Sequence, residues 1–190
     1  MTIKKTKIAV SGMAGSFSEE AGLLYAQRES LEPEFIFAVD MEGVLQALDD
    51  GKAELGIFPV VNSRGGLVQT AYEAMGRHMF NLKDELWFEV HQCIMTKKGV
   101  QKKDIKKITT HPQAISQCER YIRREFPQAE LIDWEDTAKA AKDLADGILD
   151  ADTAVIAPAR SAHLYNLDMH EKGIQDNHPN LTTFIIVSPA

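Results

Sequence analysis

The sequence predicts an α/β protein of two lobes with mostly parallel sheets, and three observations carry the prediction. Short β-branched runs alternate with helical spacings along nearly the whole chain, and small or polar residues fill the turns between them. A strongly apolar strand, Thr182 to Val187, then closes a second half that has already supplied three strand–helix units. Alternating units imply parallel strands with helices on both faces of a sheet. The last strand is expected to return to the first sheet, with a long strand at Trp87 to Thr96 as the outward crossing. Two crossings divide the chain into a first lobe, residues 1–86 with 171–190, and a second, residues 87–170. A cleft between such lobes is a favoured place for a small ligand. A single doubly wound sheet is the alternative architecture.

The elements follow in order. Lys7 to Val10 reads as a buried strand, and Phe17 to Arg28 has helical spacing. Glu34 to Ala38 is a strand, and Met41 to Asp50 a helix ended by Gly51. Leu55 to Phe58 is a strand closed by Pro59, and the turn Asn62 to Gly66 opens a helix from Leu67 to Arg77. In the second half Lys107 to Thr109 is a strand. Pro112 to Phe126 is a helix whose proline sits in the first turn, where its missing N–H costs nothing. Glu130 to Asp133 is a strand, and Asp136 is the N-cap of a helix from Thr137 to Asp146 that Gly147 terminates. Thr153 to Ala157 is a strand, and Pro158 starts a helix to Tyr165.

Composition narrows the function. Of 190 residues, 44% are apolar and 26% charged, which is ordinary for a globular enzyme. A net charge of −7 argues against nucleic acid, which needs a basic face. The lysines between Lys97 and Lys107 are interrupted by Gly99 and Asp104 and lack interleaved aromatics, so they read as solvated surface. The start, MTIKKTKIAV, has an apolar run of only Ile8 to Val10, too short for a signal peptide or a membrane span. A cytoplasmic location without membrane contact is expected, with Cys93 and Cys118 as buried reduced thiols.

In an α/β sheet the strand-to-helix turns gather where ligands bind. Five such turns carry polar or small residues: Ser11–Ser18, Asn62–Gly66, His111–Gln113, Asp136–Thr137 and Ala157–Pro158. Helix N-termini there let an acidic protein hold an anion. The Gly12-Met13-Ala14-Gly15-Ser16 turn lacks both the dinucleotide and the P-loop pattern, so its glycines serve backbone geometry, with Ser16 and Ser18 as caps or ligand contacts. The six histidines show no metal-ligand spacing, and no metal or other cofactor is expected. His111 stands at a strand end, where a backbone hydrogen bond and a substrate contact are both open to it. Arg64 and Arg160 each suit a bidentate carboxylate pair or plain solvation.

Taken together, these turns resemble one family. Gly15-Ser16-Phe17-Ser18-Glu19-Glu20-Ala21 is similar to the opening signature of prephenate dehydratases, and Pro59-Val60-Val61-Asn62-Ser63-Arg64-Gly65-Gly66 to their P-I-E-N-S-x-x-G segment. His111-Pro112-Gln113-Ala114 through Gln117-Cys118 resembles their H-P-Q-A-x-x-Q-C helix start, and Thr137-Ala138-Lys139-Ala140-Ala141 their T-A-x-A-A helix. Gly173-Ile174-Gln175-Asp176 followed by Asn180-Leu181-Thr182-Thr183-Phe184 resembles the closing G-I-Q-D and N-x-T-R-F elements. The resemblance implies a fold like a type 2 periplasmic binding protein and cofactor-free conversion of prephenate to phenylpyruvate. It also implies Thr182 as the proton donor, and Asn62, Ser63, Gln113 and Thr137 as substrate-orienting residues. Ser16, Ser18, Arg64, His111, Asn180, Thr183 and Phe184 complete the expected substrate-binding set.

Two positions depart from the family pattern: Thr183 stands in place of an arginine and Val61 in place of a glutamate. Either a structural ion pair is gone as a unit, or substrate or outcome differs. Decarboxylation without loss of water and a non-catalytic small-anion sensor are the alternative functions. The sequence ends soon after its last strand, so neither an ACT regulatory domain nor a chorismate mutase segment is expected in this chain. A homodimer is the expected assembly.

Overall fold

The computed structural model describes residues 5–190; residues 1–4, which begin the basic N-terminal stretch, lie outside it. The described residues divide into two units, one of residues 5–13, 17–89 and 181–190 and the other of 14–16 and 90–180.

In the first unit the order is β1 (Thr6–Ser11), α1 (Phe17–Arg28), β2 (Pro33–Ala38), α2 (Met41–Asp49), β3 (Leu55–Asn62), β4 (Gly66–Leu67), α3 (Gln69–Met75) and β5 (Phe80–Glu89). The second unit supplies β6 (Cys93–Thr96), β7 (Lys107–Thr110), α4 (Pro112–Gln117), α5 (Glu119–Glu125), β8 (Glu130–Asp133), α6 (Thr137–Ala145), β9 (Thr153–Ala157), α7 (Ala159–Leu164) and β10 (Asp168–Lys172). β11 (Leu181–Pro189) then completes the first.

The first sheet runs β2-β1-β3-β11-β5, with β4 paired to β3. β1 is parallel to β2 and β3, and β11 lies antiparallel between β3 and β5. Alternation along the strands sorts its two faces. Ala9, Phe58, Ile185 and Val187 pack with Val44, Leu45 and Leu48 of α2 and Ala71 and Ala74 of α3. Ile8, Val10, Ile57, Phe184 and Ile186 pack with Ala21, Tyr25 and Ala26 of α1 on the other face. Removing a side chain such as the fully buried Phe58 would cost about 3–5 kcal/mol.

The second sheet runs β10-β6-β9-β7-β8 and is built alike. β8, β7 and β9 are parallel, while β6 and β10 are antiparallel additions. Ile94, Ile108, Ala154 and Ile156 face α4 and α5, and Cys93, Met95, Val155 and Ala157 face α6 and α7. Cys93 and Cys118 are buried and form no disulfide, and burial pushes the Cys118 thiol pKa well up, which keeps it protonated. No helix among the described residues is long and apolar enough to cross a membrane.

Each sheet is thus mixed, with three parallel strands extended by an antiparallel pair and, in the first, by β4 on β3; the described residues form two sheets where a single doubly wound one was the alternative. Other local expectations shift for identifiable reasons. Pro59 does not end its strand: β3 continues to Asn62 because the register slips opposite Thr183 and Phe184. That bulge accommodates a residue with no N–H to donate and sends both Val60 and Val61 toward the α2–α3 side. The expected long strand at Trp87 to Thr96 is two strands separated by Val90–Gln92. β10 escaped the pattern because Asp168-Met169-His170-Glu171-Lys172 is a polar, bulged edge strand.

The expected helix Pro112 to Phe126 breaks at Cys118, and a remote carboxylate fills the break. Asp176 accepts hydrogen bonds from the backbone N–H of Arg120 at 2.8 Å and Tyr121 at 3.1 Å. Its own N–H donates to the Gln117 carbonyl at 2.7 Å. Asp176 therefore does the work of an N-cap for α5, whose own cap residue Cys118 makes no side-chain bond. Asp176→Ala is expected to lower stability by about 0.5–2 kcal/mol in urea unfolding, with Asp176→Asn restoring part of the loss.

His78 supplies a second remote clamp. Its side chain is 8% exposed, with Nδ1 2.6 Å from Asp49 and Nε2 2.8 Å from Glu42, two turns apart on α2. Only the imidazolium donates to both carboxylates, and those bonds, Glu42's first, raise the His78 pKa. A raised folded-state pKa contributes stability that is fully present below the unfolded value of about 6.5 and is lost as pH rises through the folded one. Thermal unfolding of wild type and His78→Gln should therefore differ most at mildly acidic pH, and the gap should close as the solution is made alkaline.

Candidate active site

β11 carries Thr182 to a position opposite Asn62 on β3 and Phe88 on β5. Asn62 Nδ2 donates to Thr182 Oγ1 at 2.8 Å, joining residues 120 apart in sequence, and both side chains are buried. The Asn62 amide can point only one way. Its Oδ1 accepts from the backbone N–H of Arg64 at 2.8 Å and of Gly65 at 2.7 Å, which leaves Nδ2 for Thr182. Ser63 braces the same turn: its N–H donates to the Leu181 carbonyl at 2.8 Å, and its Oγ accepts from the Leu181 N–H at 3.0 Å. Ser18, at the start of α1, shares a hydroxyl–hydroxyl hydrogen bond of 3.0 Å with Ser11. The Arg64 side chain is exposed.

Phe184 shares the face of Thr182, but it is 1% exposed and stacks edge-on against Phe88, so its place is the core behind that row. Thr183 leaves β11 from the opposite face, in a cross-strand row with Leu67, Val61 and Trp87. The two departures from the family pattern are therefore direct cross-strand partners. A side chain at 183 points away from Thr182.

Within the second unit, His111 is the N-cap of α4, its Nδ1 accepting from the Gln113 N–H at 3.2 Å. The Gln113 side chain is exposed at the first turn of that helix. Thr137 opens α6 behind its cap Asp136, which accepts from the Lys139 N–H at 2.8 Å. Ser16 is buried, and Asn180 is 1% exposed with its Nδ2 donating to Gln117 Oε1 at 3.0 Å. Asn180 thus belongs to a buried amide cluster rather than to an open surface. Gln92 Nε2 also donates to Gln117 Oε1 at 3.1 Å, and the Gln92 N–H donates to Gln175 Oε1 at 3.0 Å. Sequence reasoning missed Gln92, Gln117 and Gln175 as a group, because nothing local links residues so far apart.

The fold class is that of two mixed α/β sheets shared with periplasmic-type binding proteins. A nutrient-binding protein from Burkholderia cenocepacia bound to methionine superposes with a TM-score of 0.53 at 14% identity, over 96% of this chain and 84% of that one. More specifically, residues 8–190 match the model of the prephenate dehydratase family, and the chain belongs to that family. Arogenate dehydratase 1 of Petunia hybrida is 33% identical over 96% of this chain, which spans 42% of that relative's length. The crystal structure of prephenate dehydratase in complex with L-Phe from Arthrobacter aurescens has a TM-score of 0.86 at 24% identity, over 97% of this chain and 61% of that one.

The cross-strand placement of Val61 and Thr183 makes a direct prediction. Val61→Glu and Thr183→Arg should each destabilise the protein alone. The double variant should recover about 0.2–1 kcal/mol relative to their sum in a denaturation double-mutant cycle.

Proposed function

We propose that this chain is a cofactor-free dehydratase that converts prephenate to phenylpyruvate, with Thr182 as the proton donor. In that reaction the ring carboxylate leaves as CO2, its bonding electrons flow into the ring, and the C–O bond to the ring hydroxyl breaks. The departing oxygen takes a proton and leaves as water, and aromatisation supplies the driving force. The hydrogen bond from Asn62 to Thr182 carries the reading. A threonine hydroxyl is a weak acid, and it needs a donor to hold the negative charge that grows on Oγ1 as its proton leaves. The Arg64 and Gly65 N–H groups polarise the Asn62 amide, and that amide polarises Oγ1. Because Oγ1 accepts from Asn62, the single hydroxyl hydrogen remains for the substrate.

Ser16, Ser18, Ser63, Arg64, His111, Gln113 and Thr137 are proposed to orient the acidic substrate. Thr183, Phe184 and Asn180 are proposed to support them from behind. Arogenate, which carries an amino acid in place of the keto acid, is the second substrate to test, because the Petunia relative is an arogenate dehydratase. A reducing cytoplasmic location, in keeping with two buried cysteines that form no disulfide, and a homodimer complete the proposal.

The test incubates purified protein with prephenate and, separately, with arogenate, and resolves the products. Phenylpyruvate or phenylalanine should form faster than spontaneously. Thr182→Ala should lower kcat by about 10²–10⁴-fold, with Thr182→Ser retaining more activity than Thr182→Ala. A non-aromatic decarboxylated product would instead establish a decarboxylase, and tight binding without turnover a sensor.

A further inference from the structure

The glycine turn between β1 and α1 is held by two side chains that the reaction scheme does not use. Ser161 Oγ, fully buried on α7, donates to the Gly15 carbonyl at 2.9 Å. The hydroxyl of Tyr165, which follows α7, donates to the Ala14 carbonyl at 2.6 Å. These contacts reach across 146 and 151 residues. They also explain the glycine. Gly15 has φ +91°, and a Cβ there would lie 2.7 Å from Ser161 Oγ and 3.2 Å from the Tyr165 ring, so any larger residue would push the turn off its holders.

Two anchored carbonyls fix more than a position. A peptide unit is planar and trans, so pointing the Ala14 and Gly15 carbonyls at Tyr165 and Ser161 sets the direction of the Gly15 and Ser16 N–H groups. We propose that Ser161 and Tyr165 are positioning residues, which hold the Ala14–Ser16 turn in the one shape that receives the acidic substrate. The inference rests on the dehydratase reading for its substrate and on the geometry alone for the anchoring. Neither residue touches substrate; each acts through the turn.

Tyr165→Phe removes one oxygen and keeps the packed ring, so it is the cleaner variant, with Ser161→Ala as its companion. Each should raise KM by about 2- to 10-fold, the equivalent of one neutral hydrogen bond, while kcat stays near wild type. Hydrogen exchange at the Gly15, Ser16 and Phe17 amides should quicken in both. A purely structural role would lower the active fraction, and hence apparent kcat, with KM unmoved. An unchanged KM, or unchanged exchange at those amides, overturns the proposal. If wild type turns over neither prephenate nor arogenate, the dehydratase reading and the substrate half of the inference fall together. The exchange measurement still decides the anchoring.

Discussion

Insertion of β11 between β3 and β5 is the constraint on which the first unit depends. A parallel three-stranded core comes from residues 6–62, but its third strand is covered only when residues 181–189 arrive and pair with it. That strand places Ile185 and Val187 against α2 and α3, and Phe184 and Ile186 against α1, so it closes both cores at once. The same pairing sets Thr182 beside Asn62. Fold and proposed chemistry thus share one register, and a slip of one residue would turn Thr182 to the other face and Thr183 into its place.

The second unit solves a related problem, because most of its chain is an insert whose two ends must meet. Val90 donates to the Asn180 carbonyl, and the Gln92 carbonyl accepts from both Gly173 and Ile174. The side-chain amides of Gln175 and Gln117 then bond Gln92, and Asn180 bonds the same Gln117 oxygen. Asp176 reaches from the same segment to cap α5. Neutral amides and one carboxylate bonded to backbone N–H groups do this work, which suits a buried place where an unpaired charge would be costly. The segment read as a motif for its resemblance is, physically, the fastening of the unit.

Much of the fold was legible because its elements are locally encoded. Phe17 to Arg28, Glu130 to Asp133 and Thr153 to Ala157 have the bounds their patterns imply, and Asp136 caps α6 as its position before Thr137 indicates. Readings failed where a distant partner overrode a local rule. Pro59 stops a strand in isolation, yet a bulge opposite Phe184 carries the strand through it. Residues 112–126 have the composition of one helix, yet the Asp176 carboxylate stabilises two. The site divides in the same way. Asn62, Ser63 and Thr182 stand out as motif residues, whereas Ser161, Tyr165 and Gln92 carry no local signal.

By itself the sequence determined the alternation of strand and helix, the apolar faces, the caps and the residue types at the turns, since each depends on neighbours within a few positions. It also marked Val61 and Thr183 as unusual. Only the tertiary structure decided that these two face each other across a strand pair and that Thr183 points away from Thr182. It alone decided that Asn62 turns its amide toward the Thr182 hydroxyl. The physical reason is that register between strands more than a hundred residues apart is settled by the packing of both sheet faces together, which no local pattern encodes.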